Sequence, residues 1–340
     1  MDAQEQAPPP GETSGGQPLI KIKPTLKPHP FKTQATLCSE IQGPIPWVAE
    51  PLFALGSITT LFGASGSFKS MLCYSLAHHL AAGQSWLGYS VKRPWQVAYI
   101  DEEVATRLVA TRSRALAEGS CLPTSNNLHF ASRRGFHGPT LAASLLLAFE
   151  IAGLKPNVVF LDTFREVFST AGGARENDAG AVRAFYKDLR TLTTRGMAIV
   201  VIHHAKKVQP EGSTIPLSDM VSGSSDFKAA SDNFLALQLV EKGCAKLTFL
   251  KTREIIEPPP LWVTIGSEPG LITLTASTVA PIQKGPGRTK TDDRARAEAL
   301  ILANPGTSRS DLWVMAQAID LPIPKHAFDN AWTQLSITTP

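Results

Sequence analysis

Apolar positions divide the chain into three stretches. Residues 1–18 are dominated by Pro, Gly, Gln and Ser, and residues 19–42 show no period. Text this polar buries too little surface to offset the entropy of ordering, so 1–43 reads as a disordered extension. From Pro44 the pattern changes. Ile45, Trp47, Val48, Leu52 and Leu55 supply anchors, and 57–62 reads as a buried strand. Strand and helix patterns then alternate: a helix over 70–82 stopped by Gly83, a strand at 96–100, a short one at 128–130, a helix over 141–152, a strand at 158–161, a helix capped by Asp178 and running to 195, and a fifth strand at 198–202.

Apolar runs unbroken by polar residues belong to parallel strands covered on both faces. Their alternation with helices predicts a doubly wound α/β domain over 44–280. After residue 230 strands dominate, at 234–240, 246–251, 261–265 and 271–274, and these are expected to add antiparallel to one edge of the sheet. Residues 281–292, PIQKGPGRTKTD, read as a linker. Helical periods at 294–303, 310–318 and 325–335, separated by Gly306 and Pro322/Pro324, suit a helix-turn-helix or winged-helix module over 293–340. There is no internal repeat.

Composition changes this picture little. Hydrophobic residues make up 43% and charged residues 18%, as in a globular protein with a buried core. A formal net charge of +4 permits nucleic-acid binding without arguing for it, because affinity needs clustered Lys and Arg. Cys38, Cys73, Cys121 and Cys244 have no CxxC spacing, so a zinc knuckle is unsupported and reduced thiols in a cytoplasmic protein are expected. No apolar run is long enough for a membrane span, and the N-terminus lacks a signal-peptide core.

The clearest chemistry is at 63–70: Gly63, Ala64, Ser65, Gly66, Ser67, Phe68, Lys69 and Ser70 join a strand to a helix. A triphosphate needs inward backbone N–H groups, a helix N-terminus, a Lys for the β/γ oxygens and a hydroxyl for Mg²⁺. The two glycines permit the loop, Lys69 gives the charge and Ser70 the metal contact. Phe68 stands where the pattern GxxxxGK[ST] has glycine. Asp162, at the end of the strand VVFLD, is placed to hold Mg²⁺ through water. Asp101, Glu102 and Glu103 end another strand and offer a carboxylate to polarise water; spacing alone does not choose among them. His203 ends the fifth strand, where a polar side chain can sense a γ-phosphate. Lys251 and Arg253 alternate onto one face, and are as readily a solvated strand end as a phosphate contact.

Together these segments resemble the RecA-like superfamily of hexameric helicases, closest to RepA-type plasmid replicative helicases and related phage ATPases. The resemblance covers residues 44–275 and rests on LFGASGSFKS, VAYIDEE, VVFLDT, VVIHHAKK, VSGSSDFKAASDNFLAL and KTRE. It implies a RecA-like P-loop NTPase core with ATP and Mg²⁺ as cofactors. Lys69 and Ser70 would serve nucleotide and metal, Asp162 the metal, Glu103 in preference to Glu102 the base, and His203 the sensor. Lys251 and Arg253 would act in trans as fingers in a hexamer. The loop 206–223 would hold single-stranded DNA through Lys206 and Lys207. Residues 281–340 carry seven Lys/Arg against six Asp/Glu, a weak footprint for DNA. Two functions follow: an ATP-driven translocase on single-stranded DNA in plasmid, phage or mobile-element replication, or an ATP-binding DNA regulator or loader that does not unwind.

Overall fold

A computed structural model describes residues 31–168, 176–205, 220–221, 226–253, 257–280, 290–318 and 323–337. Residues 1–30 of the expected extension, and 281–289 of the expected linker, lie outside the described residues. Two expectations there are corrected. Helix α1 (Gln34–Glu40) forms inside the stretch read as irregular, with the Thr33 hydroxyl accepting from the Thr36 N–H, though it buries no residue. The last residues of the linker belong to α8 (Lys290–Ala303).

In chain order the core contains β1 (Trp47–Ala49), β2 (Phe53–Ala54), β3 (Ile58–Gly63), α2 (Lys69–Ala82), β4 (Val97–Asp101), α3 (Thr106–Gly119), β5 (Leu128–Ser132), α4 (Leu141–Ile151), β6 (Val158–Asp162), α5 (Phe164–Phe168), α6 (Ala179–Thr193), β7 (Ala198–His204), α7 (Asp226–Ala230), β8 (Asn233–Glu241), β9 (Cys244–Lys251), β10 (Leu261–Glu268) and β11 (Leu271–Ser277). β1 and β2 pair as a small two-stranded sheet. The main sheet has nine strands in the order β11-β10-β9-β8-β3-β7-β6-β4-β5.

Strands β8 to β5 in that order are parallel, and β9, β10 and β11 continue antiparallel. Hence β8 is a correction to the expected edge: it is parallel to β3, because α7 precedes it and the chain re-enters the sheet at the start of β3.

Alternation along each strand builds two cores. Leu61, Val97, Tyr99, Val158, Phe160, Val200 and Ile202 face α2 and α3. Ile58, Phe62, Ala98, Ile100, Val159, Leu161, Ile199 and Val201 face α4, α5, α6 and α7. This is the RecA-like α/β arrangement, with helices on both faces of a mostly parallel sheet. β11 wraps back onto α3 so closely that a Cβ on Gly119 would lie 1.9 Å from the Ile272 carbonyl oxygen, and only glycine fits there.

After the sheet, α8, α9 (Arg309–Ala318) and α10 (Lys325–Ile337) pack around Ala297, Leu312, Ala316, Ile323, Ala327, Phe328 and Ala331. Among the described residues, no helix is long and apolar enough to cross a membrane.

Candidate functional site

β3 delivers the chain into the loop at 63–70. A Cβ on Gly63 would come within 2.3 Å of the Leu237 carbonyl oxygen and 2.7 Å of Ser67 Oγ, so the strand tolerates no side chain at this point. Gly66 turns the loop at φ +77°. Phe68 adopts φ 67°, ψ 17°, the left-handed conformation that glycine takes freely. For phenylalanine this costs about 1–2 kcal/mol. The departure from the glycine pattern is therefore met by strain at one residue, and α2 still starts at Lys69. No side chain caps its first turn, which leaves backbone N–H groups for an anion.

Lys69 is buried, and its Nζ donates to the Ala64 carbonyl at 2.7 Å. Burial lowers its pKa, while the Asp162 and Glu103 charges oppose that shift. Two buried polar atoms at the loop, Ser67 Oγ and Asp162 Oδ1, have no hydrogen-bond partner among the described residues. Buried polar groups are normally satisfied, so the loop and the strand beside it present unmet hydrogen-bonding capacity at one place.

The carboxylates arrive by strand parity. Tyr99 and Phe160 face α2, so Asp101 and Asp162, two residues on, share that face. They are directly paired across β4 and β6. Asp162 Oδ2 accepts from the Tyr99 hydroxyl at 2.8 Å. Burial and the neighbouring Asp101 charge push Asp162 up to about 7, against the pull of Tyr99 and Ser70. Asp101 Oδ2 accepts from the Tyr74 hydroxyl at 2.5 Å, while Oδ1 takes the Glu103 and Val104 N–H groups at 3.0 and 2.7 Å.

The three acids at the end of β4 thus part company. Asp101 is consumed by the turn. Glu102 accepts the N–H groups of Arg134, Gly135 and Phe136 at 3.0–3.1 Å. Glu103 keeps a half-exposed carboxylate 3.8 Å from His204 Nε2. Its pKa is lowered first by His204 and further by Lys69.

A family model described as an AAA domain matches residues 25–210, more than half of the chain. The chain belongs to the AAA domain family. It is an ATPase of the P-loop class, a group that in general binds ATP with Mg²⁺. A search of curated proteins finds no match.

In this AAA domain the two histidines on β7 are split by parity. His203 is fully buried on the far face, against Phe164 at 4.7 Å and Phe227 at 4.4 Å between ring centroids. Its neighbour His204 faces the acids. The placement expected for His203, beside the phosphate loop, is corrected: the strand turns that ring into the core, and His204 holds the position.

Lys251 and Arg253 do converge, at the opposite end of the sheet. Lys251 Nζ donates to the carbonyls of Lys228, Ala229 and Ser231 at 2.7, 3.2 and 2.6 Å, which closes the C-terminus of α7. Arg253 lies 3.4 Å from Asp232 and is more than half exposed. Asp232 accepts from the Ile58 N–H, where β3 begins, about 17 Å of strand away from Gly63. Lys206 and Lys207 lie outside the described residues.

Four side chains that sequence reasoning passed over shape the site: Tyr74, Tyr99, His204 and Arg133. Strand alternation signals two of them, since Tyr99 precedes Asp101 by two and His204 follows Ile202 by two.

Proposed function

We propose that the AAA domain drives a motor on single-stranded DNA, of the RepA type, in plasmid, phage or mobile-element replication in the cytoplasm. Mg²⁺ would be held by Ser70 and Asp162, whose hard oxygen donors and orphaned Oδ1 suit the ion. Bound there with ATP, it would offset charge on the β- and γ-phosphates. Lys69 would turn from the Ala64 carbonyl to the phosphates. Glu103 would polarise the attacking water, and His204 would restrain it.

The observation that carries this reading is the division of charge between the two ends of the sheet. Glu103 faces the loop with a carboxylate that no backbone group claims among the described residues, while Arg253 stands at the far end, exposed and out of reach of its own loop. A phosphate contact from Arg253 has to be made to a neighbouring copy, which fits a ring, with six subunits as the proposed number. Lys251 is a weaker candidate for that contact, since all three donors of its amine are engaged within the chain. Lys206 and Lys207 are the proposed contacts to the DNA backbone.

The regulator reading gains little from the C-terminal helices. Their described basic side chains sit beside acids: Arg294 with Glu298, Arg296 with Asp293, and Arg309 and Lys325 with Asp329. Little positive charge is left over for a duplex.

ATPase rates with and without single-stranded DNA, together with strand separation and mass measurement in nucleotide, test the motor. Stimulation by DNA with unwinding by a ring is expected. Site-specific duplex binding without unwinding would overturn it in favour of the regulator.

A further inference from the structure

We propose that Glu102 and Arg133 form a clasp that sets the position of the Glu103 carboxylate, and that Arg133 is a positioning residue without contact to nucleotide. This deepens, and rests on, the reading of Glu103 as the group that polarises water.

The neighbouring strands β4 and β5 end in register, Asp101 opposite Ser132. Each turn then reaches across to the other. The Arg133 N–H donates to the Asp101 carbonyl at 2.8 Å, and Ser132 Oγ donates to the Val104 carbonyl at 2.5 Å. The Arg133 side chain places two donors on one acceptor, with Nε and Nη2 at 3.1 and 2.6 Å from the Glu103 carbonyl oxygen. In the other direction Glu102 sends its carboxylate into the loop after β5. Oε1 accepts from Arg134 and Phe136, and Oε2 from Gly135.

Successive N–H groups turned inward form a concavity suited to an anion, and here the protein's own glutamate fills it. Arg133 itself holds φ 50°, which a non-glycine residue adopts only when its surroundings over-determine it. The consequence falls on Glu103. Its N–H is fixed on Asp101 Oδ1, and its carbonyl is held by Arg133. Both flanking peptide groups are pinned, so the side chain is the one part of this residue free to move. It starts from a fixed Cα, within reach of His204 and in the field of Lys69. An exposed arginine that spends its guanidinium on a carbonyl, with no carboxylate paired to it among the described residues, serves geometry more than charge.

The test measures nucleotide affinity by a fluorescent ATP analogue and turnover by single-turnover hydrolysis, on the full chain. Arg133→Ala should lower turnover ~10²-fold, the scale of an ångström of misplacement, with affinity unchanged. Arg133→Lys, which can return one of the two hydrogen bonds, should recover part of the rate. Glu102→Gln sets an amide group against N–H donors and should behave like Arg133→Ala. In a Glu103→Gln background neither change should cost anything more, because both act through Glu103.

If Arg133→Ala does not fold, Arg133→Lys and Glu102→Gln carry the same comparison. Full turnover in the Arg133 and Glu102 variants, with Glu103→Gln inactive, overturns the clasp and leaves Glu103 in its role. Further loss in the Glu103→Gln background also overturns it, since the residue would then act elsewhere. Wild-type turnover in Glu103→Gln removes the reading of Glu103, and the clasp with it.

Discussion

The two ends of the sheet each bury an aspartate beside basic side chains, and they use it in opposite ways. At the start of β3, Asp232 accepts from the Ile58 N–H at 2.8 Å and is gripped by both terminal nitrogens of Arg190 at 2.5 and 3.0 Å. Nearby, Thr60 is within hydrogen-bond reach of both Tyr186 and Ser231. At the other end of the sheet, where β3 and β6 stop, Asp162 keeps one oxygen without a partner among the described residues and Lys69 makes do with a loop carbonyl. Where both oxygens of the aspartate are answered within the chain, as at Asp232, the residue is scaffold. Where capacity is left over, the fold is holding it for something from outside.

Lys69→Ala should break the upper end with the largest effect. ATP hydrolysis should vanish while the melting temperature holds, since the amine contributes little to the apo fold. Turnover measured beside a thermal melt checks this, and wild-type turnover would return Lys69 to the scaffold class.

Asp232→Ala should do the reverse. It strands the half-buried Arg190 and the buried Ile58 N–H, and leaving such donors unanswered costs about 1–3 kcal/mol each. Chemical denaturation should show that loss. An unchanged midpoint would mean that the network carries no weight.

Lys251→Ala comes next, because it uncaps α7 and leaves carbonyls unanswered at about 1–3 kcal/mol. If instead stability holds and hydrolysis falls, Lys251 belongs to the active assembly and the comparison fails at that residue.

The smallest effect is a pH dependence at Asp162. The nucleotide-free protein keeps its carboxyl protonated up to about pH 7, whereas the unfolded chain releases that proton near the ordinary value of 3.8. The contribution to stability is present below the unfolded value and is lost as pH rises through about 7. Asp162→Asn should therefore raise the melting point by a few degrees at pH 8 and change it little at pH 5. Equal shifts at both pH values would rule out charge burial as the cause.

These contrasts also explain what could be read from the sequence. The phosphate loop is legible because its chemistry is packed into eight consecutive residues. The parallel strands are legible because apolar runs such as VVFL are short, β-branched and alternate with helical patterns, as strands covered on both faces do. The two histidines are harder. A strand assigns His203 and His204 to opposite faces, and a reading that stops at the end of the strand does not count that parity. Glu102 and Glu103 are not separable by spacing, since the groups that claim Glu102 lie at 134–136, more than thirty residues on. Helix α3 is faint because its buried positions, Val109 and Ala115–Ala117, are thin among arginines. The direction of β8 depends on α7, a five-residue helix with one buried side chain.

The partnership of β3 with β8 has a consequence for how the chain comes off the ribosome. Thr59 pairs with Asn233, so the central strand gains its second neighbour only after the whole AAA-matched span has been made. Until then β3 has an open, apolar edge, the kind of surface that invites pairing with another nascent chain. Closing so long a loop is slow, and a protein dominated by such pairings spends longer exposed. A fragment ending near residue 210 should for that reason aggregate on expression, however well its sequence fits the family.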